Sequence, residues 1–435
     1  MKFVKDTLLT FSTQIITVIL GVITSVILAR ALGPMNLGVY SLIILTFTIL
    51  GTFGNLGIAI SNTYYGVKKE YEWNEIASNS LIVAFILGII LIIVFIVFYY
   101  LQPSFLKNID LSAILISTIS LPFILLIPYF QNILLGQDRI NAYNSINIIQ
   151  SILYLLLIVI VLYFNRNLSG VVISLAISYI ITAIMPILLV YRFTPFKLQF
   201  NIVLFKKSVN FGLKGYLGNL IQFFNYRIDM YLISFLLLNN ASVGYYSISV
   251  MLAESLWYLP NAIGTLVFAR TPGLTDAEKN RTTPQICRNT LFITTVLAII
   301  LFITGKYIIL ILYGSKYLPA LEPLWVLLPG IISLSICKVL SNEIIGRGKP
   351  MINTYAAIIS LVINIPLNII FIPQMGIIGS ALASSISYII ITLIVLTSFI
   401  KLSKNSLKET LILKKEDVEI YKKLLSKVYK INNKL

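Results

Sequence analysis

Residues 210–240 read NFGLKGYLGNLIQFFNYRIDMYLISFLLLNN. A helix crosses a bilayer with about 20 apolar residues, and this run is long enough, yet it carries Lys214, Arg227 and Asp229. A second apolar run follows Asn239-Asn240 and holds Glu254. Ionic side chains at membrane depth cost roughly 2.5–3.5 kcal/mol each on insertion scales, so they face a wet cavity or one another. At about 100° per residue, Lys214, Gly215, Gly218, Asn219, Gln222, Asn225, Tyr226 and Asp229 share one side of the helix. That stripe suits the wall of an aqueous cavity; the plainer alternative is that it only holds helices together. Arg227 lies off the stripe, because residues i and i+2 do not share a face, and must reach another helix or snorkel.

Composition agrees with a membrane setting. Of 435 residues, 58% are hydrophobic and 11% charged, where soluble domains carry about 25% charged residues. The chain opens Met1-Lys2-Phe3-Val4-Lys5 and runs directly into a long apolar stretch without a small-residue cleavage site, which reads as an uncleaved first helix. Cys287 and Cys337 form no CxxC pair, and histidine is absent. The commonest general base and zinc ligand is therefore missing.

Apolar runs place membrane helices near 7–30, 37–62, 78–100, 111–135, 144–164, 169–191, 209–238, 243–269, 286–313, 320–346, 351–373 and 376–400. The expected fold is all-α and polytopic, with about 12 transmembrane helices. With the N-terminus cytoplasmic, the outer segments hold only Arg30, Lys107, Arg166, Lys306 and Lys316 of the 33 basic residues. This asymmetry sets both termini inside, and the net charge of +17 reports topology rather than nucleic-acid binding.

The chain also repeats itself. Leu37-Gly38-Val39-Tyr40-Ser41 is echoed by Val243-Gly244-Tyr245-Tyr246-Ser247, Ser178-Tyr179-Ile180-Ile181 by Ser387-Tyr388-Ile389-Ile390, and Asn132…Gly136 by Asn342…Gly346, all at offsets of 206–210. The repeats suggest two pseudo-twofold six-helix bundles of like orientation, with a substrate path between them. Residues 1–191 form the N-terminal bundle, 192–208 a basic cytoplasmic linker and 209–400 the C-terminal bundle. Residues 401–435 form a lysine-rich tail with Val418, Tyr421, Leu425, Val428 and Ile431 at helical spacing, suited to anionic lipid of the inner leaflet or simply to enforcing topology.

The sharpest local string is Ile27-Leu28-Ala29-Arg30-Ala31-Leu32-Gly33-Pro34, followed by Leu37-Gly38-Val39-Tyr40. Physically it is a helix stop and restart with a cation at the outer end of the first span. It resembles the opening of the polysaccharide biosynthesis (oligosaccharide-lipid) flippases of the multidrug/oligosaccharidyl-lipid/polysaccharide exporter superfamily, and span number, basic tail and twofold halves extend the resemblance along the chain. The resemblance implies a V-shaped pair of six-helix bundles in a bacterial inner membrane. They would pass a polyprenyl-pyrophosphate-linked oligosaccharide from the cytoplasmic to the outer leaflet by alternating access, beside polysaccharide polymerase machinery. Arg30 occupies the place of a cavity-lining arginine of the related lipid II flippase. Thr24 stands where that relative has a second arginine, and its two extra spans have no counterpart here, which argues against lipid II as cargo.

A diphosphate crosses an apolar barrier only if cations replace its water. Arg30, Lys214, Arg227 and Lys338 are the candidates. Sugar hydroxyls call for amides and hydroxyls, supplied by Thr10, Gln14, Thr17, Thr24 and Ser25 on one stripe of the first helix and by Asn219, Gln222 and Asn225 on the seventh. Helix-helix packing accounts for the same stripes equally simply. Asp229 and Glu254 either bind a coupling proton or sodium ion or neutralise Arg227 and Lys214. Lys338 and Glu343, near the cytoplasmic end of the tenth span, are more easily wetted and rank lower. Most Phe and Tyr residues are expected to face lipid or the interface. Gly212, Gly215 and Gly218 read as close helix packing rather than a dinucleotide turn, since no strand precedes them. The rival within the superfamily is a cation-coupled multidrug exporter, which calls for an acidic, aromatic cavity. A membrane glycosyltransferase would need a sizeable catalytic loop, and no outer segment offers one. Neither a cofactor nor covalent chemistry is expected.

Overall fold

In hydrocarbon every backbone N–H and C=O must be satisfied within its own segment, and helices do this. The computed structural model describes residues 2–101, 111–164 and 167–417, and it is helical almost throughout, with no strand among the described residues. The helices are α1 (Lys2–Asn55), α2 (Ile58–Val67), α3 (Trp73–Leu101), α4 (Leu111–Thr118), α5 (Leu121–Gly136), α6 (Ile140–Phe164), α7 (Leu168–Phe193) and α8 (Ile202–Leu237). They continue as α9 (Asn240–Glu254), α10 (Tyr258–Arg270), α11 (Asp276–Leu312), α12 (Leu321–Gly346), α13 (Met351–Met375), α14 (Ile377–Ser403) and the short α15 (Leu407–Leu411).

Nine stretches among the described residues are long and apolar enough to cross a membrane, against twelve expected runs. The first two runs fall in one stretch, Leu9–Val67. The expected stop at Gly33-Pro34 is a kink there, with Gly33 at φ 72° and ψ 171°. The runs at 209–238 and 243–269 form helices that are too charged or too short to count by apolarity alone. The second of them is split into α9 and α10 by a 3-10 turn at Ser255–Trp257. The lipid-binding helix expected beyond residue 417 lies outside the described residues, as do Lys107 and Arg166.

The chain resolves into two compact units. Unit 1 comprises Met1–Leu220, Leu237–Tyr245 and Leu312–Lys316, and unit 2 comprises Ile221–Leu236, Tyr246–Ile311 and Tyr317–Leu435. Unit 1 is centred on α5, whose Leu125, Tyr129, Phe130 and Ile133 are fully buried. The Tyr129 hydroxyl donates to the Gly54 carbonyl at 3.2 Å. Segment 194–201 is non-helical and bonded to the start of α3: Gln199 N–H donates to Ser78 Oγ at 2.6 Å and Asn201 Nδ2 to Glu75 Oε1 at 2.8 Å. Asn201 Oδ1 then caps α8 by accepting from Val203 N and Leu204 N at 2.9 and 3.0 Å. Gly212 is a packing glycine, as its sequence context suggested. A Cβ there would stand 2.5 Å from the Leu56 carbonyl oxygen. The repeat-related glycines Gly38 and Gly244 are direct neighbours, and a Cβ on Gly38 would stand 1.7 Å from the Asn240 carbonyl oxygen.

In unit 2, α12 and α14 form the buried centre, with Gly330 against Ser385 and Leu324, Leu334, Leu340, Val395 and Phe399 fully buried. After α14 the chain turns back onto the start of α11. Arg288 is ion-paired there with Asp417 through Nε and Nη2, and Nη1 donates to the Glu409 carbonyl at 3.1 Å. Asn289 Nδ2 and Lys414 N–H each donate to the same carboxylate at 2.9 Å. Burial would raise the Asp417 pKa, but the Arg288 guanidinium and the backbone N–H of Lys414 overcome it and hold the group at about 2.

Two outcomes follow. Gly38→Leu lowers the Tm of the purified protein by an overpacking cost of about 1–3 kcal/mol, whereas Gly21→Ala, which meets nothing within 4 Å, leaves it nearly unchanged. A carboxylate depressed from its ordinary value of about 3.9 stabilises the docked tail above that pH and loses the effect as pH falls towards 2. Asp417→Asn removes it at neutral pH, so limited trypsin digestion cuts after Lys414 and Lys415 faster in the variant than in the wild type.

Candidate functional site

In unit 2 the ionic residues expected within membrane spans find partners. Arg227 leaves the α8 stripe, as its spacing requires, and its Nη1 and Nη2 donate to Glu254 Oε1 and Oε2, both at 2.8 Å. Of the two roles open to Glu254, neutralising a base is the one seen, and the base is Arg227. Asp229 is 1% exposed. Its carboxylate accepts from Tyr246 OH at 2.6 Å, Ser384 Oγ at 3.1 Å and Met230 N–H at 2.8 Å. Asn225 is fully buried and donates through Nδ2 to Ser360 Oγ at 2.9 Å. The Asn225–Asp229 end of the stripe is thus packed inside unit 2 and does not form the open cavity wall expected from the sequence. Hydroxyls on α9 and α14 bond the Asp229 carboxylate and one on α13 accepts from Asn225 Nδ2. Gln222 is half-buried and donates to Tyr226 OH. The side chains of Lys214 and Asn219 lie outside the described residues.

Lys338, ranked low from sequence, has the more telling surroundings. Its Nζ lies 4.4 Å from the Trp257 ring centroid and 5.6 Å from that of Tyr226. Tyr388 stands edge-on to Tyr226 at 5.6 Å and to Trp257 at 5.7 Å. Among the described residues no carboxylate pairs with Lys338. The 3-10 turn after Glu254 sets the indole in place, and Trp257 and Tyr388 are buried. These rings face neither lipid nor the interface, so Tyr388 is outside the majority expected to do so. The available signal was one of only three tryptophans standing three residues after an in-span glutamate. Glu343 is also corrected. It is fully buried and paired with Arg347, whose Nη2 donates to Asn280 Oδ1 at 2.8 Å. The turn after α12 folds its own cation back over the carboxylate, so it is not easily wetted.

In unit 1, Arg30 Nε donates to the carbonyl of Leu312 at 2.7 Å. Leu312 ends α11, and a cation suits the orphan carbonyls of a helix C-terminus. Ser25 Oγ is 3.1 Å from Tyr313 OH, and Thr24 donates to its own helix at Leu20 O, 2.8 Å away. Thr10, Thr13, Gln14 and Thr17 of α1 line a cavity of about 250 Å³. The opposite wall belongs to α6, through Tyr143, Asn144, Asn147, Gln150 and Ser151. Those five were missed, because the expected span began at 144 and no charge marked it. Their spacing of i, i+1, i+4, i+7 and i+8 was the signal. Thr24 and Ser25, expected in the stripe, are not part of the lining.

The fold and these surroundings define a polytopic helical membrane protein whose described interior charges are ion-paired, hydrogen-bonded or set among aromatic rings. Residues 3–268 match the family described as polysaccharide biosynthesis protein, and the chain belongs to that family. It is similar to a putative O-antigen transporter of Shigella flexneri, 24% identical over 83% of this chain and 89% of that one. By fold it is similar to the lipid II flippase MurJ in an inward closed conformation, with a TM-score of 0.75 and 21% identity over 91% of this chain and 90% of that one. It is also similar to a multidrug resistance MATE family transporter in an inward-facing conformation, at 0.71 and 14% over 92% and 99%. These relatives are named as transporters and flippases, and this chain shares their fold as a multi-pass helical membrane protein.

Glu254→Gln strands the Arg227 guanidinium. Its cost is about 2–3 kcal/mol, below the 3–5 of a fully buried pair because both side chains are partly exposed. The double variant Arg227→Met with Glu254→Leu regains most of the loss. Tm values of the three purified proteins form the cycle that checks this.

Proposed function

We propose that the chain is a flippase that moves polyprenyl-pyrophosphate-linked oligosaccharide repeat units from the cytoplasmic to the outer leaflet by alternating access, for cell-surface polysaccharide synthesis. Membership of the polysaccharide biosynthesis family supports the class of cargo, and Lys338 carries the site argument. Its ammonium is flanked by π faces and makes no direct ion pair among the described residues, so its charge is only partly offset in a low-dielectric setting. An anionic phosphate completes such a site by charge-assisted hydrogen bonds. Arg227, already neutralised by Glu254, is the weaker phosphate ligand and acts as a structural cation. Arg30 and Lys214 remain candidates for the diphosphate; Gln14, Asn219 and Gln222 remain candidates for the glycan, whereas Asn225, fully buried against Ser360, does not. Asp229 is the candidate coupling group for a proton or sodium ion, with Glu254 balancing charge.

In this reading residues 1–191 and 209–400 are the two moving halves, 192–208 joins them, and the tail from 401 meets the anionic inner leaflet of a bacterial inner membrane with both termini cytoplasmic. Polysaccharide polymerase machinery on the outer side takes over the cargo. The second reading, a cation-coupled multidrug exporter, is favoured by the aromatic box around Trp257, which suits a flat organic cation. Lys338 inside that box opposes it through like charge.

Proteoliposomes separate the two. With an undecaprenyl-diphosphate-linked oligosaccharide in the inner leaflet, the wild-type protein exposes the glycan to an external glycosidase. Lys338→Met slows this at least roughly tenfold, the value of one charged contact. Wild-type rates in Lys338→Met, Arg30→Ala and Lys214→Ala alike, or export of ethidium and no exposure of glycan, reject the flippase.

A further inference from the structure

We infer that the cleft between α1 and α6 is a subsite for one uncharged sugar ring of the cargo. This rests on the flippase reading and names where within unit 1 the glycan is held. The cleft is lined by hydroxyl and amide side chains with one tyrosine, and no charged side chain lines it among the described residues. A phosphate would find no cation here, an organic cation no carboxylate, and an acyl chain too many polar groups. A sugar hydroxyl both donates and accepts, as do Ser, Thr, Asn and Gln side chains.

Two details point to a missing partner. Asn144 is 3% exposed. Its Nδ2 donates to Thr10 Oγ1 at 3.0 Å, but its Oδ1 accepts no hydrogen bond among the described residues. Buried acceptors are nearly always satisfied, and a ligand hydroxyl supplies the donor this one lacks. Opposite in character is Asn147, whose Oδ1 accepts from the buried Gln131 Nε2 at 2.9 Å. That bond from α5 fixes the amide and commits its Nδ2 to donating elsewhere. The cleft therefore offers a bare acceptor and an oriented donor one helical turn apart, backed by a second layer. The cavity of about 250 Å³ is near the lower bound of small-ligand pockets, about 300 Å³. It fits a single ring and excludes a whole repeat unit.

The test uses full-length protein in lipid nanodiscs with Ser151→Cys as a reporter; Cys287 and Cys337 are buried and react slowly. Alkylation by N-ethylmaleimide is timed with undecaprenyl diphosphate, and with the same lipid bearing one N-acetylglucosamine. At about ten times its Kd, the sugar-bearing lipid slows alkylation roughly tenfold, while the bare lipid leaves the rate unchanged. Adding Asn147→Leu or Gln150→Leu removes the protection, yet both lipids still raise the Tm. Equal protection by both lipids, or by neither while both raise the Tm, overturns the sugar subsite and leaves the flippase standing. If neither lipid raises the Tm of the wild-type protein, the flippase reading falls and the subsite with it.

Discussion

A guanidinium placed among apolar helices needs its counter-charge inside the protein, because lipid tails offer neither dipoles nor water. Arg227 meets that need through both oxygens of Glu254, and much of unit 2 is arranged around the result. Glu254 is the last residue of α9, and the 3-10 turn that follows carries Trp257. Holding the carboxylate on α8 fixes where the turn begins, and the turn sets the indole beside Lys338. A charge pair within one unit thus positions an aromatic box that a straight helix would not form.

The cations differ in what surrounds them, and that difference assigns their roles. Arg227 and Arg288 are matched by carboxylates, which suits structural anchors that hold α9 and the tail in place. Lys338 is met by rings, which attract its charge without cancelling it. Arg30 lies at the carbonyl end of α11, where a partial negative charge offsets only part of its own. Counting basic residues in the spans treats these as equivalent. Their partners separate those neutralised by a carboxylate from those held by rings or a helix end.

Unit 1 shows the opposite chemistry. Its α1–α6 cleft is polar without ionised groups among the described residues, and other internal bonds serve architecture, such as Ser78 with Gln199 and Tyr129 with Gly54. Close backbone approach does the rest. Gly38 meets Asn240 and Gly244, and Gly57 meets Gly212, at distances that admit no side chain. Small residues give membrane helices the contact that a hydrophobic driving force cannot supply in lipid.

Length, apolarity and the scarcity of charge settled the all-α membrane fold, because a bilayer accepts few other structures. The Gly33-Pro34 string marked the kink, for glycine alone adopts a positive φ at no steric cost. Helical spacing placed Arg227 off the stripe and set Thr10, Gln14 and Thr17 on one face. What periodicity could not supply was the identity of the facing helix. Glu254 as the partner of Arg227, the rings around Lys338, the burial of Glu343 beneath Arg347 and the α6 wall opposite Gln14 all join residues distant in sequence or across a turn. The sequence determined which face each side chain occupies; only tertiary packing decided what lies against that face, because period along a helix carries no information about its neighbour.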